Sequence, residues 1–289
     1  MSQTREILKQ VKKLEITTKL LADGLVTGNS NSIFKGQGIE FSEIRDYRPG
    51  DDIRAIDWKV TARFNHPYIK EFIEERDLQI YFVIDLSESG SFGTNISKKQ
   101  KALEIIASLM FAALRNNDRM GVFLITDRVE KFIPAKKGRK HLLQVLNQIV
   151  SFTPKSQKTD LKTSLVQISK IIKRKSIIFV ISDFIDESEF LKPLKILRKK
   201  HDIIALKISD LREKEIPDVG LIELEDKETG EQILVDTSDE DFRNSYSKLI
   251  SENELQFTSN LRKIKIDTLQ LFTDQNYSIP LRNFFRRRK

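Results

Sequence analysis

Three oxygen-bearing side chains follow an apolar run at alternate positions in the segment FVIDLSESGSFG. Asp85 ends the run, and Ser87 and Ser89 lie in the loop that leads to a predicted helix. One carboxylate and two hydroxyl groups are hard oxygen donors of the kind that Mg2+ prefers, and Mg2+ keeps several of its water molecules. Alone, the triplet is weak evidence, because Asp and Ser are also common in turns and at helix starts.

A second acid, Asp183, directly follows the apolar run of residues 176–182. Acids that follow two parallel strands lie at the carboxyl edge of the sheet, where open α/β folds bind ligands. Thr159 precedes another predicted helix and offers a further hydroxyl, with helix capping as its alternative role; for Asp160, capping is the expected role. These residues predict a site for Mg2+, with Mn2+ or Ca2+ as alternatives, and its ligands are Asp85, Ser87, Ser89, Thr159 and Asp183.

The elements that must position these ligands alternate between short apolar runs and longer amphipathic stretches from Leu78 onward. This alternation is typical of βα units and predicts an α/β fold with a mainly parallel sheet. Strands are predicted at 78–86, 120–126, 176–182, 203–208 and 264–272, and helices at 98–116, 140–150, 161–173, 187–199 and 239–262. Hairpins are predicted where the run 129–133 follows the strand 120–126, and between 219–224 and 232–235.

The residues before Leu78 have a different pattern. The chain starts with a charged, helix-like stretch, and glycines and prolines then divide the segment into short extended pieces. We therefore predict an N-terminal elaboration at 1–77 and an α/β domain with a basic C-terminal tail at 78–289.

The segment RDYRPGDDIRAIDW carries seven charged residues of both signs around a Pro49–Gly50 turn. We predict that the charges pair with one another and brace the turn against the α/β domain, with Trp58 as an apolar anchor. The alternatives are a recognition surface or a second metal site on Asp51 and Asp52. Clustered acids also occur in two-metal nucleases, but no residue near this segment offers a convincing base or nucleophile for that reaction. The residues concerned are Arg45, Asp46, Arg48, Asp51, Asp52, Arg54, Asp57 and Trp58.

Composition narrows the function classes. The chain of 289 residues has no cysteine, which excludes disulfides, thiolate zinc sites and a cysteine nucleophile. The sequence shows no secretory signal pattern, and its apolar stretches are shorter than the roughly 20 residues needed to span a bilayer. We therefore predict a cytoplasmic protein, with peripheral binding at the inner membrane face as a further possibility. His66, His141 and His201 are far apart in sequence, and no phosphate-binding glycine loop occurs, so no enzyme is predicted.

Two features of the sequence resemble known families. The order Asp-x-Ser-x-Ser, then Thr, then Asp after a later strand resembles the metal-ion-dependent adhesion site of von Willebrand factor A domains. The stretch EFSEIRDYRPGDDIRAIDWKVTARFNHPYIKEF resembles the signature of domain-of-unknown-function family 58 in bacteria. In one departure, Ser156, Gln157 and Lys158 precede Thr159 where such domains often carry a glycine, which makes Thr159 the least secure ligand.

The resemblance implies a three-layer, doubly wound sheet and a metal ion whose open position accepts an acidic side chain of a partner protein. It also implies an adaptor that works with a MoxR-type AAA+ ATPase in assembling or maturing protein complexes. The alternative is a basic protein that binds a membrane surface or, less favoured, nucleic acid, since the net charge is +8 and Arg282, Arg286, Arg287, Arg288 and Lys289 end the chain. A solvated tail is the simpler expectation for these last residues.

Overall fold

The computed structural model describes residues 40–73, 78–91, 96–186, 188–225 and 232–288. The described residues fall into two units, one of residues 40–73 with Leu78 and one that begins at Gln79. The helix-like stretch at the start of the chain, the turn between the two predicted strands 219–224 and 232–235, and Lys289 lie outside the described residues.

The first unit contains two antiparallel strands, β1 (Glu40–Asp46) and β2 (Tyr68–Ile73), joined through a short helix. This helix, α1 (Trp58–Phe64), was not predicted. It begins because the carboxylate of Asp57 accepts hydrogen bonds from the backbone N–H groups of Lys59 and Val60. It ends at Asn65, which takes the left-handed conformation that closes many helices.

The second unit is a mixed α/β structure, as the alternating pattern predicts. Among the described residues, six strands form its central sheet: β3 (Gln79–Asp85), β4 (Arg119–Ile125), β5 (Val129–Lys136), β6 (Ile177–Ser182), β7 (Asp202–Ser209) and β10 (Asp267–Phe272). Their order in the sheet is β10-β7-β6-β3-β4-β5, with β5 alone antiparallel to its neighbour. Two further strands, β8 (Leu221–Glu225) and β9 (Gln232–Asp236), form a separate antiparallel pair.

Six helices of the described residues belong to the same unit: α2 (Lys98–Arg115), α3 (Arg139–Val150), α4 (Leu161–Ile171), α5 (Leu191–Arg198), α6 (Glu240–Lys263) and α7 (Ser278–Arg287). The antiparallel strand pairing predicted for both hairpins is confirmed. The last sheet strand begins at Asp267 rather than at 264, because α6 extends to Lys263 and Lys265 turns the chain in the left-handed conformation.

Strand side chains point alternately to the two faces of the sheet, and both faces are buried. Tyr81 and Val83 contribute to a core that includes residues of α4 and α5. Phe82 faces the other way and stacks on Phe179 with 5.4 Å between ring centroids. Because β3 is covered on both faces, its sequence is a continuous apolar run that ends at Asp85.

The C-terminal residues form an ordered helix, in which Arg282, Arg286 and Arg287 are exposed, as a solvated tail predicts, and the apolar side chains are packed. In α7, Leu281 is fully buried and Phe285 is 7% exposed. The ring of Phe285 lies 6.2 Å from that of Phe179 in the sheet. After the helix, Arg288 forms ion pairs with Asp202 and Asp267 at 2.9 and 2.7 Å. The segment is only 10 residues long, so its few apolar residues do not show a clear helical periodicity in the sequence.

Replacing Leu281 or Phe285 with alanine is expected to lower the free energy of unfolding by about 3 kcal/mol, because each substitution opens a cavity in a packed core. Ile279 belongs to the same helix but is 55% exposed, so Ile279→Ala is the matched control with an expected change within about 0.5 kcal/mol. Urea denaturation measures all three. Equal stability of the Leu281→Ala variant and the wild type would show that α7 does not pack as described.

The hydroxyl of Tyr277, at the start of α7, lies 2.9 Å from the Ser108 hydroxyl in α2. Burial raises the pKa of Tyr277 to about 12 from 10.0. A tyrosine whose pKa is raised on folding stabilises the fold below pH 10, and this contribution of about 3 kcal/mol is lost as the pH rises to 12. We expect Tyr277→Phe to lack this alkaline loss and to lack one absorbance titration step near pH 12. Identical titrations of both proteins would contradict the burial of Tyr277.

Candidate metal centre

The neighbouring strands β3 and β6 end at the same edge of the sheet. From β3 the chain continues to β4 on one side, and from β6 it continues to β7 on the other side. The two connections therefore diverge and leave a crevice at the carboxyl ends of the two strands, which is the usual ligand position in such sheets. Asp85 is the last residue of β3, and Asp183 directly follows β6.

The Asp85 carboxylate organises the loop that carries the serines. Its Oδ1 accepts a hydrogen bond of 3.0 Å from the backbone N–H of Ser87, and its Oδ2 accepts one of 2.7 Å from the Ser182 hydroxyl. The hydroxyl oxygens of Ser87 and Ser89 lie 3.0 Å apart. The loop thus places both serine hydroxyls beside one carboxylate.

Asp183 is held by a tight turn after β6. Phe184 takes the left-handed conformation with φ of 56°, and its backbone N–H donates to the Ser182 hydroxyl at 2.8 Å. Oδ1 of Asp183 accepts from the backbone N–H of Ile185 at 3.1 Å, and Oδ2 accepts from Nζ of Lys98 at 2.6 Å. The second acid is therefore paired with a lysine.

Both acids and both serines line one small cavity of about 20 Å3, together with Lys98. A cavity of roughly 10–15 Å3 holds one water-sized particle, so this one has room for a single bare ion or water molecule. The two carboxylates and the two hydroxyl groups all offer oxygen atoms as metal ligands, and oxygen ligands suit Mg2+, Mn2+ or Ca2+ better than softer metals. The residues present fit a hard cation.

Electrostatics favour a cation in this cavity. Burial and the nearby Asp183 carboxylate raise the pKa of Asp85 to about 6 from 3.8, although hydrogen bonds from Ser182 and Ser87 act in the opposite direction. Two carboxylates in a partly dehydrated site repel each other, and a positive charge between them relieves the repulsion. Among the described residues, no group of three or more His, Cys, Asp or Glu is arranged to hold a metal, so the candidate centre depends on two carboxylates and two hydroxyls.

Comparison with known proteins places the chain in a family. Residues 43–256 match the family described as Protein of unknown function DUF58, and this range includes the Arg/Asp segment and both acids of the cavity. The chain belongs to the DUF58 family. The DUF58 chain is 29% identical over 284 residues to Uncharacterized protein Rv1480 of Mycobacterium tuberculosis (strain ATCC 25618 / H37Rv), which covers 96% of this chain and 89% of the relative.

Two solved structures are similar to the DUF58 chain at low identity. The conserved hypothetical protein BatB from Bacteroides thetaiotaomicron is 15% identical with a TM-score of 0.47, covering 73% of this chain and 98% of that chain. An aerotolerance-related membrane protein from Bacteroides fragilis NCTC 9343 is 14% identical with a TM-score of 0.48, covering 73% of this chain and 97% of that chain. In the part of the DUF58 chain that the structure describes, no helix has the length and apolar character to span a bilayer.

The fifth predicted ligand, Thr159, lies outside the lining of the cavity, two residues before α4. Its loop approaches the serine loop, where the backbone N–H of Glu88 donates to the carbonyl oxygen of Gln157 at 3.1 Å. Asp160, rather than Thr159, caps α4 by accepting from the backbone N–H of Thr163 at 2.8 Å, as predicted for Asp160. The role of Thr159 as a ligand remains a prediction.

Three residues of the site were missed from the sequence: Lys98, Ser182 and Glu213. Ser182 ends the apolar run, and its position directly before Asp183 is a sequence signal for a hydroxyl group at the site. Lys98 is the first residue of α2, and a basic residue at the positive end of a helix is unfavourable enough to suggest a nearby acid. Glu213 carries a local signal of another kind: it follows Asp210 at capping-box spacing, and its Oε2 accepts from the backbone N–H of Asp210 at 3.0 Å. That pattern does not point to Lys98.

The Arg/Asp segment of this DUF58 protein contains an ion pair and helix caps among its own residues. Arg45 donates hydrogen bonds to both carboxylate oxygens of Asp51 at 2.8 and 2.9 Å, and the backbone N–H of Arg48 donates to the same carboxylate at 2.8 Å. Together these hydrogen bonds lower the pKa of Asp51 to about 2. Asp52 caps the turn at Ile53–Ala55, as Asp57 caps α1. These contacts favour the structural role over a second metal site at Asp51 and Asp52.

One part of that prediction is wrong. Trp58 is 68% exposed, so it is not a buried apolar anchor of the segment. The physical reason is local: Trp58 is the first residue of α1, and the partly buried side of that short helix carries Val60 and Thr61 instead.

Proposed function

We propose that this DUF58 protein is a metal-dependent protein-binding module with a von Willebrand factor A-like fold. One observation carries the proposal: Asp85 and Asp183, from separate strands at the point where the connections diverge, line one ion-sized cavity with Ser87 and Ser89. Asp85 and the two serines would hold a Mg2+ ion, and Asp183 would add negative charge beside it. Mn2+ or Ca2+ would use the same oxygens.

The bound ion would supply a positive charge that attracts an acidic side chain. Three side-chain donors, those of Asp85, Ser87 and Ser89, would not complete the coordination of a Mg2+ ion, which takes six ligands in an octahedron. The carboxylate of a partner protein can replace water at a remaining position and gain a direct charge contact. We propose binding and no catalysis. An adaptor role with a MoxR-type AAA+ ATPase in the assembly of protein complexes is proposed from the resemblance of the sequence.

The test is affinity capture from a lysate of the source organism, with purified wild type and Asp85→Ala as baits, in Mg2+ and in EDTA. We expect a set of partners that is retained only by wild type in Mg2+. Circular dichroism and a melting curve of Asp85→Ala provide the control for folding. Recovery of the same partners by both baits in both buffers would end this proposal.

A second candidate is binding to an anionic membrane, which is favoured by three exposed arginines of α7, namely Arg282, Arg286 and Arg287. Arg288 does not support membrane binding, because its charge is paired with Asp202 and Asp267. Lys289 lies outside the described residues. Binding of this kind falls steeply with salt and is indifferent to EDTA. Sedimentation with phosphatidylserine vesicles, with Arg282→Gln/Arg286→Gln as the variant, separates it from the metal-dependent module.

A further inference from the structure

Lys98 occupies an unfavourable position. It is the first residue of α2, directly after the cap Ser97, where the aligned peptide dipoles of a helix disfavour a positive charge. Its side chain is 4% exposed, and burial of an ammonium group carries a further penalty. A buried lysine at this end of a helix therefore requires strong compensating contacts.

Two carboxylates provide the compensation. Nζ of Lys98 donates to Oδ2 of Asp183 at 2.6 Å and to Oε1 of Glu213 at 2.5 Å. Burial by itself lowers the pKa of Lys98, but the two negative charges outweigh it and the pKa is raised, so the side chain is charged at neutral pH. The ammonium group is thus a permanent cation in the wall of the candidate metal centre.

The position of Lys98 divides the four oxygen donors into two groups. Both oxygens of Asp183 are engaged, one by Lys98 and the other by the backbone N–H of Ile185. Ser87, Ser89 and Asp85 have no lysine at hydrogen-bond distance in the contacts described above, and they line the cavity from the other strand. An incoming divalent ion therefore meets one carboxylate available for direct contact and one carboxylate whose charge is already balanced.

On the basis of the proposed function, we infer that Lys98 sets the affinity of the metal centre by acting as a built-in competing cation that holds Asp183 away from the divalent ion. The consequence is a weakly held ion that gains its remaining attraction from the carboxylate of the bound partner. Ion and partner then reinforce each other's binding, since each binds better when the other is present. Lys98 is a residue that determines affinity and has no catalytic role.

The test is titration of Mg2+ and Mn2+ into the full-length protein, by calorimetry and by the paramagnetic resonance of Mn2+. We expect Lys98→Gln to bind either ion about tenfold more tightly or better than wild type, because a nearby like charge has been removed. Lys99→Gln is the matched control: Lys99 also lines the cavity, but it is exposed and its charge is screened by solvent. Its affinity is expected to stay within about twofold of wild type.

Because Lys98→Gln leaves Asp183 and Glu213 unpaired, a second variant guards against loss of folding. Lys98→Gln/Glu213→Gln removes one charge of each sign, and we expect it to bind Mg2+ severalfold more tightly than wild type, since Glu213 does not line the cavity. Mg2+ should also raise the melting temperature of both variants more than that of wild type. Unchanged or weaker Mg2+ affinity in both variants would overturn the inference.

The outcomes separate this inference from the proposed function. If wild type binds Mg2+ and the Lys98 variants bind it no better, the role of Lys98 is wrong and the binding module stands. If wild type shows no binding and Lys98→Gln binds Mg2+, the role of Lys98 is supported and the proposed function of the natural protein fails. If no variant binds either ion, both fail.

Discussion

Asp85→Asn is expected to weaken Mg2+ binding by about a hundredfold or more, the largest effect on the metal centre. The substitution keeps the size of the side chain and removes the one carboxylate of the cavity that no lysine contacts in the described hydrogen bonds. A hundredfold loss corresponds to about 2.7 kcal/mol, which is within the range for losing one charge a few ångströms from a divalent ion. Isothermal titration calorimetry at fixed ionic strength measures it.

The control for this prediction is Asp274→Asn, which changes an exposed acid outside the cavity lining and should leave the affinity within about twofold. Ser87→Ala and Ser89→Ala are expected to give intermediate losses, because a hydroxyl is a neutral ligand that water can replace. Thr159→Val tests the fifth predicted ligand, with a smaller loss expected from its position outside the cavity lining. Equal affinities of Asp85→Asn and wild type would place the ion elsewhere.

Lys98→Met is expected to lower the free energy of unfolding by about 3–5 kcal/mol, the cost of leaving buried carboxylates without their cation. The ammonium group contacts Asp183 and Glu213 at 2.6 and 2.5 Å, and Asp183 is itself buried. Guanidinium chloride denaturation without divalent ions measures the loss. Lys99→Met, a change of the same chemistry on the exposed neighbour, should change the stability by less than about 0.5 kcal/mol.

A combined variant tests the cause of that loss. Lys98→Met/Asp183→Asn/Glu213→Gln removes the lysine and both charges that it balances, so that no buried charge of this network is left uncompensated. We expect it to recover most of the stability lost by Lys98→Met. A triple variant that is as unstable as Lys98→Met would show that the lysine contributes through packing rather than through charge.

The elements of the α/β unit could be predicted from the sequence because their signals are local. A strand that is buried on both faces is a continuous apolar run, as in β3, and the loop residues that follow it are fixed by adjacency. The same logic placed Asp85 and Asp183 at one edge of the sheet, and the structure brings both to one cavity. The sequence did not predict the helices α1 and α7, because α1 buries no side chain fully and α7 buries only Leu281 and Phe285.

By itself, the amino-acid sequence determined the mainly parallel α/β fold, the order of strands and helices along the chain, and the positions of Asp85 at the end of β3 and Asp183 directly after β6. Only the tertiary structure decided which partners those acids have. Lys98 lies 85 residues from Asp183 and 115 residues from Glu213 along the chain, and no local pattern links them. Strand periodicity reports what each segment buries, whereas a buried ion pair depends on which loops the order of strands in the sheet brings together.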